Sequence, residues 1–245
     1  MQRARRKTSL AIDFAVDPFG SVPALLLRSA TLFFSNFPFL AAVTLVVFLP
    51  VKLALQAVCW MLEVPTGGLA MYLVLDVSDL VLGSLVAPAA IYGVLARMRN
   101  GKSPRLGESL AWGRRQWGRT LWNKFKVEMT VTLWSLLLLV PGLVKMVQLA
   151  VTDPIVAIEA DRAAYPLERS RDLTSGHRWR VFFVLLPLMA VELVGSYLVL
   201  GAFQHPADSR LLIAVVDSLL SVGGQWATMV ILLIYLGLVK AETKL

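Results

Sequence analysis

The chain is poor in the side chains that most enzymes use. Its 245 residues include one cysteine and two histidines. With Cys59 alone, no disulfide can form within the chain, so cysteine usage carries no information about the redox compartment. His177 and His205 lie at opposite ends of one apolar segment, too far apart to share a metal. The motifs H-E-x-x-H, C-x-x-C, G-x-S-x-G and the P-loop are missing. We therefore predict a protein that is not an enzyme and has no cofactor or metal.

Charge is also scarce. Only 16% of the residues are charged and 57% are hydrophobic, whereas soluble domains have about 25% charged and about 45–50% apolar residues. The mean hydropathy of +0.69 places the chain among membrane proteins. The net charge of +8 indicates the positive-inside bias of membrane loops rather than nucleic-acid binding, because the basic residues flank apolar segments.

Basic residues begin the chain, as they begin a signal peptide. Asp13 and Asp17 interrupt the only apolar core that a signal peptide could use, and no A-x-A-like cleavage site follows. We therefore expect residues 1–20 to form a retained cytoplasmic tail.

Four apolar segments are long enough to span a membrane, which takes about 20 residues. They are paired by short turns, one containing the sequence PTGG and the other GAFQHPAD. The predicted segments are residues 39–62, 69–98, 181–202 and 209–239.

A fifth apolar stretch, residues 127–159, lies between these pairs. As one helix its 33 residues would be about 50 Å long, too long for a hydrocarbon core of about 30 Å. Basic stretches on both flanks should be cytoplasmic, so the chain between them crosses an even number of times. Pro-Gly is a strong turn signal. We therefore predict a helical hairpin that turns at Pro141 and Gly142, with a re-entrant hairpin as the alternative.

The predicted fold class is all-α: a polytopic membrane protein with six membrane segments in three helical hairpins. Of the 24 Lys and Arg residues, this arrangement places 21 on the cytoplasmic side and only Arg210 outside. It predicts a bacterial cytoplasmic (inner) membrane protein with both termini inside. We treat residues 1–245 as one membrane domain, with units at 21–98, 105–159 and 165–240 after the tail.

Three short motifs hint at a threefold internal repeat. FSNF (34–37), WNKF (122–125) and WRVF (179–182) each end a polar or amphipathic stretch and precede an apolar helix. We expect an interfacial amphipathic helix at each motif. Chance is the alternative explanation, because aromatic-x-x-Phe is a simple pattern at a membrane interface.

One region of the chain resembles a known family. The features that carry the resemblance are Pro141-Gly142, the Pro-x-x-x-x-Glu of Pro154 and Glu159, and the positions Ser170, Leu173, Gly176 and Trp179-Arg180. Over residues 105–190 they resemble the membrane domain of some glycerophosphodiester phosphodiesterases and of related stand-alone bacterial membrane proteins. In that family catalysis belongs to a separate soluble domain, which we do not find in this sequence. The resemblance therefore implies a multi-pass membrane protein without catalytic residues.

Ionisable residues occur at membrane depth, where they are costly and usually face a bundle interior or a cavity. Counting from the outer helix ends puts them at one depth, which predicts a single intramembrane cluster and a Lys52 pair with Asp79 or Asp76. One reading is a polar cavity open to the outside that binds a cation, a proton or a cationic headgroup. The other is a structural ion pair. The cluster consists of Lys52, Asp76, Asp79, Glu192 and Asp217.

Arginines on the second amphipathic stretch should attract anionic lipid on the cytoplasmic side. We assign lipid contact to Arg114, Arg115 and Arg119. The predicted function is a non-enzymatic membrane component that binds membrane lipids, a protein partner or a second copy of itself. The alternative is a small transporter that uses the acidic cavity, although the inner halves of the predicted helices look apolar.

Overall fold

Helices account for all the regular secondary structure in the part of the chain that the structure describes. This computed structural model describes residues 21–65, 68–101, 104–159, 165–202 and 210–243. The predicted tail (1–20) and His205 lie outside these residues. The helices are α1 (Val22–Ser35), α2 (Phe37–Met61), α3 (Leu69–Asn100), α4 (Leu106–Leu137), α5 (Leu139–Leu149), α6 (Thr152–Ile158), α7 (Pro166–Thr174), α8 (Arg178–Ala202) and α9 (Arg210–Glu242).

Four helical stretches among the described residues are long and apolar enough to cross a membrane. They confirm the all-helical fold class, and as candidate membrane spans they match the first, second, fourth and sixth predicted segments. The fifth predicted segment lies in α8. The four stretches are Phe37–Met61, Leu73–Asn100, Leu139–Ile158, which combines α5 with α6, and Arg210–Glu242.

The predicted turn at Pro141 and Gly142 is wrong in position. The chain reverses at Leu138, the single extended residue between α4 and α5. Pro141 lies in the first turn of α5, where its missing N–H costs nothing. A Cβ on Gly142 would lie 2.0 Å from Ser135 Oγ, so the glycine is needed for close packing of the two helices, while the turn itself lies three residues before Pro141.

The amphipathic stretch that ends with WNKF (122–125) is not a separate helix. It continues without a break into the predicted third segment, so the motif lies inside α4. In contrast, α1 and α7 are short helices of their own before α2 and α8. The hinge that the repeat predicts between an interfacial and a spanning helix is therefore absent from the described second unit. The reason is that the polar half of α4 packs along α3 through Trp112, Gly113 and Trp117.

Small residues allow α3 and α4 to approach closely. A Cβ on Gly113 would lie 2.5 Å from the Leu85 carbonyl oxygen and 3.0 Å from Ala89 Cβ. The Trp117 indole N–H donates to the carbonyl of Val81 at 3.1 Å. Close helix contact through small residues is the usual way in which membrane helices associate.

Helix α9 lies at the centre of the bundle and packs along α2. Arg210 donates to the carbonyl of Val64 beyond one end of α2, and Leu40 and Met229 share a fully buried cluster near the other end. The two helices therefore run antiparallel. This pairing brings the start of α9 beside the end of α2 and positions the charged site described below.

The segment formed by α5 and α6 is broken around Ala150 and Val151. Pro154 cannot donate the backbone hydrogen bond that a continuous helix would need there. The break frees the carbonyl of Gln148, which is buried and accepts a hydrogen bond from Ser170 Oγ of α7 at 2.9 Å. Helix α7 thus covers the break, which satisfies the buried backbone.

Candidate functional site: an intramembrane charged triad

Lys52 lies in the middle of α2 with its side chain completely buried. Its ammonium is 2.6 Å from Asp79 Oδ1 of α3 and also donates to Asp217 Oδ2 of α9. The three residues, which we call the triad, therefore join three helices. A buried ammonium needs such partners, because leaving it unpaired in a medium of low dielectric costs several kcal/mol.

The two carboxylates of the triad differ in exposure. The side chain of Asp217 is 17% exposed, whereas that of Asp79 is 44% exposed. Asp76, one helical turn from Asp79 on α3, is also exposed. Glu192 lies in α8, and its side chain is not among those that the structure describes. Of the predicted cluster, the structure brings Lys52, Asp79 and Asp217 together, and the predicted Lys52–Asp79 pair is present.

Two further buried polar side chains of α2, Gln56 and Thr44, lie on opposite sides of the triad along the helix. One turn towards Met61, Gln56 is 2% exposed, and neither polar atom of its amide has a hydrogen-bond partner among the described residues. In the other direction the Phe48 ring lies 5.2 Å from the Lys52 ammonium. Beyond it, Thr44 Oγ1 is buried and has no partner within the described structure.

The register of α2 and α9 places a second buried polar group without a described partner, Gln225, at the level of Thr44. Thr44 lies 8 residues before Lys52, and Gln225 lies 8 residues after Asp217, so both are about 12 Å along the helices from the ion pair. Gln225 is 6% exposed, and its Oε1 also lacks a partner in the described part of the chain. Paired orphans on facing helices mark a place where water could be held.

A second ion pair was missed by the sequence analysis. Lys124 of α4 is 3.4 Å from Asp153 of α6, and its ammonium lies 3.5 Å from where a Cβ on Gly83 would be. Gly83 is one helical turn from Asp79 on α3. Sequence reasoning assigned Lys124 to a basic cytoplasmic stretch. The one available signal was Asp153, an acid inside an apolar run that needed a basic partner.

A third charged group joins α6, α7 and α9 at the other end of the bundle. Arg169 makes a bidentate contact with Glu242 at 2.6 and 2.7 Å and lies 3.6 Å from Glu159. Tyr235 donates to Glu159 at 2.7 Å. The hydrogen bonds to Glu242 raise the pKa of Arg169 above its ordinary value. Arg169 of α7 therefore pairs with carboxylates from the end of α6 and the end of α9.

The predicted lipid-contact arginines lie on the outer face of α4. Arg114 and Arg115 are exposed, together with Trp117 and Trp122. Arg119 is only partly exposed and already interacts within the protein. Two of the three predicted arginines are therefore fully presented to the surroundings.

Among the described residues, no group of three or more His, Cys, Asp and Glu side chains could hold a metal ion. The triad offers one ammonium and two carboxylates with amides nearby, and such groups can bind ions and exchange protons.

Comparison with known proteins identifies the family. The model of the family described as Domain of unknown function (DUF7847) matches residues 66–241, and the chain belongs to this family. The matched range contains Asp79 and Asp217, whereas Lys52 precedes it. Neither the curated proteins nor the solved structures that were compared include a match.

Proposed function

We propose that the protein is a non-enzymatic component of the bacterial cytoplasmic membrane that binds anionic lipid at its cytoplasmic surface. In this proposal six segments cross the membrane, with α4 as the third and α8 as the fifth, and both termini are cytoplasmic. The four apolar stretches and the one-sided distribution of basic residues support this topology. The resemblance to the phosphodiesterase-type membrane domain supports the same multi-pass arrangement.

The observation that carries the lipid proposal is the exposed surface of α4. Arg114 and Arg115 lie beside Trp117 and Trp122, whose side chains are 40% and 58% exposed. Tryptophan is enriched where a helix meets the headgroup region, and each basic residue near an anionic surface contributes about 1 kcal/mol. Each guanidinium group can bind a phosphate in a bidentate manner, which suits a phosphodiester headgroup.

Native mass spectrometry of the purified protein tests this proposal. We expect wild type to retain phosphatidylglycerol in preference to phosphatidylcholine with the same acyl chains. The R114Q/R115Q variant should lose most of this preference, roughly tenfold or more for two contacts of about 1 kcal/mol each. The matched control is R99Q/R105Q, which removes the same charge from two other exposed arginines. Equal loss in both variants would indicate general charge attraction and contradict a site on α4.

A small transporter is the second candidate, and the triad is the observation that favours it. A completely buried lysine lies beside a carboxylate that is 44% exposed. Ionisable residues inside a membrane often mark ion pathways or proton relays. Uptake of labelled cations into proteoliposomes, compared between wild type and K52M, would test this candidate. Equal uptake by both proteins would exclude a transporter that uses the triad.

A further inference from the structure

The triad does not balance its own charge. Lys52 supplies one positive charge, whereas Asp79 and Asp217 supply two negative charges when both are ionised. An uncompensated charge in such a place is costly, and proteins usually remove it by pairing or protonation. The triad therefore needs one further positive charge.

We propose that the triad is a proton-binding site and that Asp79 carries the proton. This inference goes beyond lipid binding and is independent of it. The Lys52 ammonium already occupies the gap between the two carboxylates, within contact of both, which leaves no space there for a metal ion. A proton needs only one carboxylate oxygen. When Asp79 takes up a proton from a hydronium ion, an O–H bond of hydronium breaks, an O–H bond forms on the carboxylate, water is left behind, and the net charge of the triad changes from −1 to 0.

Exposure decides which carboxylate exchanges the proton. Asp217 is nearly enclosed, and its backbone carbonyl accepts a hydrogen bond from Ser221 at 2.9 Å. Asp79 is the more accessible acid, with 44% of its side chain exposed. Lys52 can then remain paired with Asp217, while Asp79 gains and loses the proton.

Gln56 provides an independent indication that the site holds a ligand or water. Its amide is buried one turn from Lys52, on the same face of α2, with both polar atoms lacking partners among the described residues. Unpaired buried amides are rare, and ordered water is the usual partner where other groups are missing. A water molecule at Gln56 would link the triad to the Met61 end of α2.

Phe48 closes the opposite side. Its buried ring covers the Lys52 ammonium and separates it from the orphan pair of Thr44 and Gln225. Past that pair, Leu40 and Met229 are completely buried. Protons therefore reach the triad from the Met61 side, and two apolar layers block passage towards the Phe37 end.

Other charged groups face the triad from the helices packed against it. Asp76 lies one turn from Asp79, Lys124 of α4 lies near Gly83, and Asp153 of α6 is paired with Lys124. Glu128 is one turn further along α4. Because the Lys124–Asp153 pair is balanced, the excess negative charge remains on Asp76, Asp79 and Glu128, which favours proton uptake.

Infrared difference spectroscopy of the full-length protein in lipid tests the proposal, because a protonated carboxyl has a C=O stretch that a carboxylate lacks. At neutral pH we expect a protonated-carboxyl band in wild type, its loss in D79N, and its retention in D76N, the matched control on the same helix. Raising the pH should remove the band from wild type. Identical bands in wild type and D79N at every pH would overturn the proposal.

The D79E variant covers the case in which D79N does not fold, because it keeps the carboxyl group. We expect its band to persist at a shifted frequency, and an unchanged frequency would assign the proton to another residue and overturn the proposal. Adding NaCl at constant pH distinguishes a metal ion from a proton. A band that responds to sodium but not to pH would also contradict proton binding.

Discussion

A lysine buried among helices keeps its charge only when carboxylates replace its lost hydration. Lys52 has two such partners, and we expect their contributions to differ. Asp217 is enclosed with the ammonium, so the interaction is poorly screened. Asp79 is 44% exposed and, if it carries a proton, acts mainly as a neutral hydrogen-bond partner. Removing one member of an enclosed pair typically costs about 3–5 kcal/mol.

A double-mutant cycle measures this difference. We expect K52M and D217N each to lower the melting temperature in detergent, because K52M leaves the Asp217 carboxylate unpaired and D217N removes the more enclosed partner of Lys52. The double variant K52M/D217N should lose less than the sum of the two, with a coupling of about 1–3 kcal/mol. The K52M/D79N cycle should give a smaller coupling.

The K52M/D76N double variant is the control, because the ion pairs of Lys52 go to Asp79 and Asp217. Its two effects should add. Additivity in all three cycles would mean that Lys52 is not held by these acids and that the triad contributes nothing to folding.

The sequence placed all three residues of the triad in one cluster by their depth, but it predicted only one of the two ion pairs. The short turn between α2 and α3 places Lys52 and Asp79 at one depth on neighbouring helices, and that pair was expected. Asp217 is 165 residues from Lys52 along the chain. Its contact depends on α9 packing against α2, which no local pattern specifies. The same holds for Lys124 and Asp153, whose pairing follows from α5 and α6 returning along α4.

At the scale of helices, glycines decide how closely α3 and α4 can pack. Gly113 faces the backbone of α3, with the Leu85 carbonyl only 2.5 Å from the position of an added Cβ. Gly118, five residues later on α4, has nothing within 4 Å of that position. The two glycines therefore have opposite expected responses to the same substitution.

The G113A variant should be destabilised by about 1–3 kcal/mol, because a backbone atom cannot move aside as a side chain can. The G118A variant should be neutral or more stable by about 0.5–1 kcal/mol, since alanine favours the helix over glycine. Thermal unfolding in detergent measures both. A G113A protein as stable as G118A would show that α3 and α4 are not in close contact.

The apolar stretch from residue 127 to 159 shows where helix prediction succeeds and where it fails. Length and flanking charge correctly required a reversal. Pro141 and Gly142 then suggested its position, but proline also suits the first turn of a helix and glycine also suits a tight helix contact. Both residues serve those roles in α5. The actual turn at Leu138 has no turn signal, because a single extended residue between two helices needs none.

At the scale of the whole molecule, the path of the chain through the membrane remains a prediction that labelling can test. Three exposed positions are suitable: Glu108 at the start of α4, Leu138 at the turn, and Ser175 after α7. Each is replaced by cysteine in a Cys59→Ser background, since Cys59 is the single native cysteine. We expect a membrane-impermeant maleimide to label L138C from outside the cell, and E108C and S175C only after permeabilisation.

The physical reason is that α4 runs antiparallel to α3, and α5 with α6 returns along α4. Contacts at both ends of the pair support this: Gly142 packs on Ser135 near the turn, and Lys124 pairs with Asp153 further along. Leu138 must then lie on the opposite side from Glu108 and Ser175 if α4 crosses completely. Labelling of L138C from the cytoplasmic side would make the hairpin re-entrant and reduce the six crossings to four. Labelling of E108C and S175C from opposite sides would require an odd number of crossings between them. That result would contradict every topology in which both basic stretches are cytoplasmic.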